Sequence, residues 1–304
     1  MLKKTVYLLL SLIFLASLQF GCGGGGEDKK DYKLDDVLDD STEAIVIDEE
    51  AINEVIQSFS SPVEMAALIE NLDVPFSKKY LVPAESAEDY DTNTKKAFAL
   101  GVLSADLGYL NVYKKTTQIV EYLSVIKKLS DDLRVGQFFD FQTLKRLATS
   151  NDNLDSLLFL TVSSFHQMDE HLRNNARSNL SALVVTGVWL ESLYLATQVS
   201  LEEPSEDIRE SIGEQKTILN NLLPILKVYQ KEAYFKDLVE DFDEIKEAYE
   251  DVSIRYEVQE PKTEVIDNRL VITQSEISII EMTDEQLAGI VKIIEKVRNK
   301  LIAL

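Results

Sequence analysis

From about residue 92 onward, apolar side chains recur every three or four positions, the period of helices that bury one face. Ile119, Tyr122, Ile126, Leu129 and Leu133 alternate three and four apart, and so do Phe235, Leu238, Phe242, Ile245, Tyr249 and Val252. Such seams belong to helices lying nearly antiparallel to a neighbour. The pattern predicts helices over 92–114, 119–133, 138–148, 153–172, 176–201, 206–231, 235–252 and 283–301, with Gly136 and Pro204 as breaks and Pro224 kinking or dividing the sixth. Upstream, Ser61-Pro62-Val63-Glu64 is a capping box that opens a short helix ending near Asn71, and 74–91, with Pro75 and Pro83, reads as a connector. Thr283 and Gln286 form a second capping box, ahead of a seam of Leu287, Ile290, Val291, Ile294, Val297 and Leu301. Residues 265–273 fit either a small β-hairpin or a helix. The expected fold is all-α, a multi-helix antiparallel bundle with at most that one hairpin. Residues 51–304 make one helical domain, or two sub-bundles dividing near residue 204.

Two helices depart from the amphipathic pattern. Between Lys96 and Lys114 the only charge is Asp106, and between Arg177 and Glu202 the only charge is Glu191. Helices that are apolar all round are buried. Gly101, Ala105, Gly108, Ala182, Thr186 and Gly187 allow neighbouring backbones to approach closely. Each helix therefore carries a carboxylate into the core, where a charge needs a partner or a raised pKa. Tyr109, Trp189 and Tyr194 are the nearest donors in sequence, and His166, Arg173 and Arg177 are candidates brought in by the fold. The set Asp106, Glu191, Tyr109, Trp189, Tyr194 and His166 is thus either a satisfied structural network or a polar pocket for a small ligand or for acid–base work. Residues 180–199 are also long enough for a membrane span, but Glu191 at the centre costs about 2.5–3.5 kcal/mol on insertion, and a core helix is the better reading.

The N-terminal pattern is of another kind. Lys3 and Lys4 precede an uncharged run from Thr5 to Phe20, then Gly21, Cys22 and the glycines 23–26. Basic start, apolar run and small residue are the order of a secretory signal. A lone cysteine behind it points to a lipoprotein-type signal over 1–21, with cleavage before Cys22 and palmitate-type acylation of the mature N-terminus. Gln19 and Phe20 depart from the usual Leu and small residue at those places. A plain signal peptide and an uncleaved helix are the other readings, though the 16-residue run is shorter than the roughly 20 residues that span a bilayer. Residues 22–50 then form a glycine-rich, acidic tether, with eleven acids against three lysines over 27–50.

Composition narrows the chemistry. A net charge of −22 argues against nucleic acid and anionic membrane surfaces as partners. One cysteine, given to lipid, leaves no disulfide, thiol catalysis or cysteine metal site. The two histidines, His166 and His171, stand five apart and do not form an i,i+4 metal pair. There is no phosphate-binding glycine loop, serine nucleophile elbow or EF-hand pattern. No cofactor or metal is expected. The terminal helix is a local basic exception, with Lys292, Lys296, Arg298 and Lys300.

The set Ser61-Pro62-x-Glu64, Ala97-x-x-x-Gly101-Val102-x-x-Ala105-Asp106-Leu107-x-Tyr109, Asp155-Ser156-Leu157 and Gly187-x-Trp189-x-Glu191-x-x-Tyr194 resembles a group of uncharacterised lipoproteins from Bacteroidota. The chain departs from that group at Leu103-Ser104, where the group often has Tyr-Gly, and at Val188, where it has a second glycine. The resemblance implies a cell-envelope location, with no catalytic activity attached to it. The sequence thus reads as a lipid-anchored envelope protein, on the outer membrane, with a non-enzymatic binding or scaffolding role. Its partners are the membrane, through the lipid, and an envelope protein the sequence does not name. The alternative is a small-molecule binding protein or a hydrolase built on Asp106 and Glu191.

Overall fold

In a computed structural model, the described residues are Ile69, 74–149, 154–258, 262–266, 269–273 and 276–303, and most of them lie in eight α-helices and a two-stranded ribbon. All belong to one unit, Ala44–Leu304. The leader, Cys22, the tether and the capping box at Ser61 lie outside the described residues.

Residues 74–90 form a strap with two short 3-10 turns, Lys78–Tyr80 and Ala84–Asp89. Then come α1 (Asn93–Val112), α2 (Thr116–Asp132), a 3-10 turn at Gly136–Phe138, α3 (Phe141–Thr149), α4 (Leu154–Asn174) and α5 (Ser178–Glu202). Beyond Pro204 follow α6 (Glu206–Val228), α7 (Ala233–Ala248), the ribbon, and α8 (Asp284–Ile302). The all-α expectation holds, and the helix boundaries follow the hydrophobic period closely. Pro224 lies inside α6 without dividing it.

Local chemistry sets the helix ends. The hydroxyls of Thr92 and Ser205 accept the N–H groups of Lys95 and Ile208, satisfying first-turn donors of α1 and α6. At α8 the capping box is complete. Thr283 accepts from the Gln286 N–H at 3.2 Å, and the Gln286 side chain accepts from the Thr283 N–H at 2.7 Å. Three helices close through a residue in the left-handed region that is not glycine: Lys114 (φ 54°), Arg134 (φ 58°) and Ala176 (φ 55°). In each, the next N–H reaches back to a carbonyl of the last turn (Lys115 to Leu110, Val135 to Ser130, Arg177 to Leu172), the Schellman pattern.

The hairpin expected at 265–273 is present and longer than the sequence suggested. β2 (Lys262–Ile266) pairs antiparallel with β3 (Arg269–Thr273), and β1 (Ser253–Val258) pairs with β4 (Glu276–Glu281). The register shifts by one between the two ladders, from Val258 opposite Glu276 to Lys262 opposite Thr273. The ribbon is seated on α6 at Gly213, where a Cβ would lie 2.3 Å from the Ile280 side chain.

The core centres on α1 and α5. Both are buried on most of their surface, as their all-round apolar sequences require. They meet backbone to backbone. A Cβ on Gly101 would stand 2.0 Å from the Val184 carbonyl oxygen, and one on Gly187 would stand 2.2 Å from that of Phe98. Helix α5 is the one described helix long and apolar enough to cross a bilayer, and 83% of its apolar window is buried inside the protein. α2, α4, α6 and α8 pack around this pair.

Candidate functional site

The glycine contact decides where the two carboxylates go. A Cβ on Gly187 would lie 3.1 Å from the Val102 nitrogen, so these two positions face each other. One helical turn further along each helix, four residues on, stand Asp106 and Glu191. Both are completely buried, and the Glu191 charge acts on the Asp106 carboxyl. The close approach that small residues permit has brought two acids from opposite helices together.

Neither donor predicted from Arg173 or Arg177 serves them. The partner is Arg298 of α8. Its Nε donates to Glu191 Oε2 at 2.9 Å and its Nη2 to Oε1 at 2.6 Å, a bidentate fork. Nη2 also donates to the Tyr80 carbonyl at 2.9 Å, and Nη1 to Asn299 Oδ1 at 3.3 Å. The guanidinium lies over the Tyr194 ring at 4.2 Å, adding a cation–π contact. The Glu191–Arg298 pair is an ion pair with both side chains almost wholly out of water.

Asp106 is held differently. Its Oδ2 accepts the Val82 N–H at 3.0 Å. Its Oδ1 meets no N–H or hydroxyl. Beside it is the Glu191 carboxylate, another acceptor. Burial, then the Glu191 charge, hold its carboxyl well above the usual carboxylate range, although the Val82 bond and Arg298 oppose them.

The strap completes the shell. Tyr122 on α2 donates its hydroxyl to the Val82 carbonyl at 2.5 Å. Tyr109 Oη accepts the Ser77 N–H at 3.2 Å, and its ring packs against Phe76, Tyr80 and Tyr113. Tyr80 donates to Glu202, and its pKa is pushed up to about 12 by burial and then by that bond.

Of the six residues expected to converge, Asp106, Glu191 and Tyr194 do. Tyr109 lies next door, behind the strap. Trp189 is elsewhere, its Nε1 donating to Gln215 Oε1 at 3.0 Å and its ring against Phe242. His166 is a correction. It is exposed on α4, because the buried face of that helix runs through Ser164, Met168 and Leu172, and a residue two positions along points roughly opposite. Arg173 pairs instead with Asp169 at 2.8 Å, and Arg177 donates to the Leu133 carbonyl at 2.9 Å.

Sequence reasoning also missed two further buried acids. Asp169 accepts the Ser181 hydroxyl at 2.5 Å and holds Arg173, while burial still raises its pKa. Asp241 on α7 takes Lys300 of α8 at 2.6 Å. With Lys296 on Glu244 at 2.5 Å, three basic residues of α8 pair with acids of α5 and α7, Arg298 from the buried face and the two lysines from the surface. Among the described residues no cluster of three or more histidine, cysteine or acidic side chains is arranged to hold a metal ion.

No protein-family model matches the chain, and neither a curated protein nor a solved structure matches it.

Proposed function

We propose that this is a lipid-anchored cell-envelope protein whose helical domain binds or scaffolds another envelope component and does not catalyse a reaction. Two lines of support are independent. The anchor rests on the leader, with Lys3 and Lys4, the apolar run to Phe20 and the single cysteine at 22. The resemblance to Bacteroidota lipoproteins points to the same location, with the lipid in the outer membrane.

The non-enzymatic reading is carried by one observation: both Glu191 oxygens are taken by the Arg298 fork in a site with essentially no solvent exposure. An acid–base pair for catalysis must reach its substrate's proton. Here Glu191 and Arg298 are bonded to one another, and Arg298 and Asp106 to the strap. Breaking such a buried pair is strongly destabilising, which suits a structural keystone. The small-molecule or hydrolase reading draws on the same two carboxylates and has less support, because His166, Trp189 and Tyr109 are engaged elsewhere or exposed.

The anchor is tested with Cys22→Ser. The wild type is expected to fractionate with membranes and to incorporate an alkyne-tagged fatty acid. The variant is expected in the soluble fraction without label. A variant that remains with membranes through a high-salt wash would sink the lipid anchor.

A further inference from the structure

We propose that the outer edge of β1 is a self-association surface, on which a second copy of this chain adds its own β1, antiparallel, about a two-fold axis at Tyr256. β1 (Ser253–Val258) is bonded to β4 along one edge. Among the described residues, no strand or other main-chain group pairs with its opposite edge. Two-stranded ribbons are marginal in water, and a free edge is a template for a further strand. This ribbon is seated on α6 near its base, through Ile280 on Gly213 and Ser278 on Glu214. Further out, β1 carries Tyr256 and Val258, two of the three exposed large apolar side chains among the described residues. Two positions apart on a strand, they share one face.

The order of residues along β1 selects a second copy as the occupant. With Tyr256 on the axis, Arg255 faces the second copy's Glu257, and Glu257 faces its Arg255. Ile254 and Val258 face each other in the same way on either side, and the two Tyr256 residues meet at the centre. Opposite charges and apolar residues set directly across from one another are the pairs that stabilise a sheet. The register is unique. A shift by one residue sets Arg255 against Tyr256 or Val258 and loses both charge pairs. β4 offers no such match, because Glu276 and Glu281 are its only charges. Arg255 already meets Glu281 at 2.6 Å and Glu257 at 3.8 Å within its own chain. Both are exposed surface pairs, which hold weakly and leave the side chains free to turn to a copy. The association does not draw on the lipid anchor.

Symmetric cross-linking of the full chain tests this. Cys22→Ser removes the one natural thiol, so adding Tyr256→Cys leaves a single thiol on the axis. Residues directly opposite in an antiparallel pair have Cα atoms about 4.5–5.5 Å apart, a separation that a disulfide bridges. Val258→Cys in the same background faces the second copy's Ile254 and is too far from its own counterpart to close. Mild oxidation is expected to convert the Tyr256→Cys chain to a disulfide dimer and to leave the Val258→Cys chain monomeric. No dimer from Tyr256→Cys overturns the proposal, and so does equal dimer from both. Charge variants give a second reading without added thiols. In the Cys22→Ser background, Arg255→Glu alone or Glu257→Arg alone sets like charges across the axis, and each is expected to sediment as a monomer. An equal mixture of the two restores both opposite pairs and is expected to sediment as a dimer. Positions 255–258 are all exposed, so these changes leave the helical core intact. A mixture that stays monomeric overturns the proposal. A parent chain that is monomeric at every soluble concentration also overturns it and leaves the edge to a strand of another protein. A series of species larger than the dimer overturns it in favour of open head-to-tail pairing.

Discussion

Arg298 grips Glu191 with both edges of its fork, across 107 residues of chain, in a site that water does not reach. Removing either partner strands the other. Glu191→Gln or Arg298→Met is expected to cost about 3–5 kcal/mol. The double variant is expected to be less damaged than the sum, because it leaves no unpaired charge. Urea denaturation of the four proteins measures the coupling. Strict additivity would mean the pair contributes nothing specific.

Asp106 makes stability depend on pH with a defined sign. Its folded pKa stands above the ordinary aspartate value of 3.8 that applies to the unfolded chain. The folded state therefore holds its proton more tightly. The contribution is fully present below about pH 4 and is lost as pH rises towards the folded pKa. Asp106→Asn has no such loss. Its stability is expected to gain on the wild type by about 1.4 kcal/mol per pH unit through that window, read from urea midpoints at pH 5, 7 and 9. Parallel midpoints for the two proteins would contradict a raised Asp106 pKa.

Gly101 and Gly108 lie on the same helix, and their substitution by alanine is expected to have opposite effects. A methyl at 101 would sit 2.0 Å from the Val184 carbonyl oxygen, whereas one at 108 meets nothing within 4 Å. Gly101→Ala is expected to cost about 3 kcal/mol, the upper end of overpacking. Gly108→Ala is expected to stabilise by roughly 0.5–1 kcal/mol through helix propensity. Thermal melts of the pair decide it. Equal melting temperatures would mean the helices are not in backbone contact.

Ala176 offers a gain of another origin. It closes α4 at φ 55°, a conformation that costs an L-residue about 1–2 kcal/mol and glycine almost nothing. Ala176→Gly is expected to raise stability by about 1 kcal/mol, measured as a shift in urea midpoint at unchanged slope. A destabilised variant would show that residue 176 does not occupy the left-handed cap.

The helices and the two buried acids were legible in the sequence because each was a local signal. A three-four period needs only a short window, and a single charge in a long apolar run is conspicuous. Arg298 was harder to find, since it stands among Lys292, Lys296 and Lys300 and reads as one more surface cation. Its helical place was the available signal, four after Ile294 and three before Leu301, on the stripe that faces the bundle. His166 misled for the complementary reason. It was placed with the buried acids, but the helix turns Met168 inward and His166 out. The outer ladder of the ribbon was obscured because Arg255 and Glu257 interrupt the apolar look of β1, and its partner lies beyond β2 and β3. No short window contains both.

The position of Arg298 along the chain also has a consequence in time. It follows Tyr80 by 218 residues and Glu191 by 107. At the ordinary pace of about 5–20 residues per second, the two central helices exist for on the order of ten seconds before their cation is made. Through that interval Asp106 and Glu191 oppose burial, and the helix pair has reason to stay apart. A chain stopped before Asp284 is expected to give helical circular dichroism without a cooperative melt. A keystone synthesised so late works as a delay, keeping the chain pliable until most of it has been made.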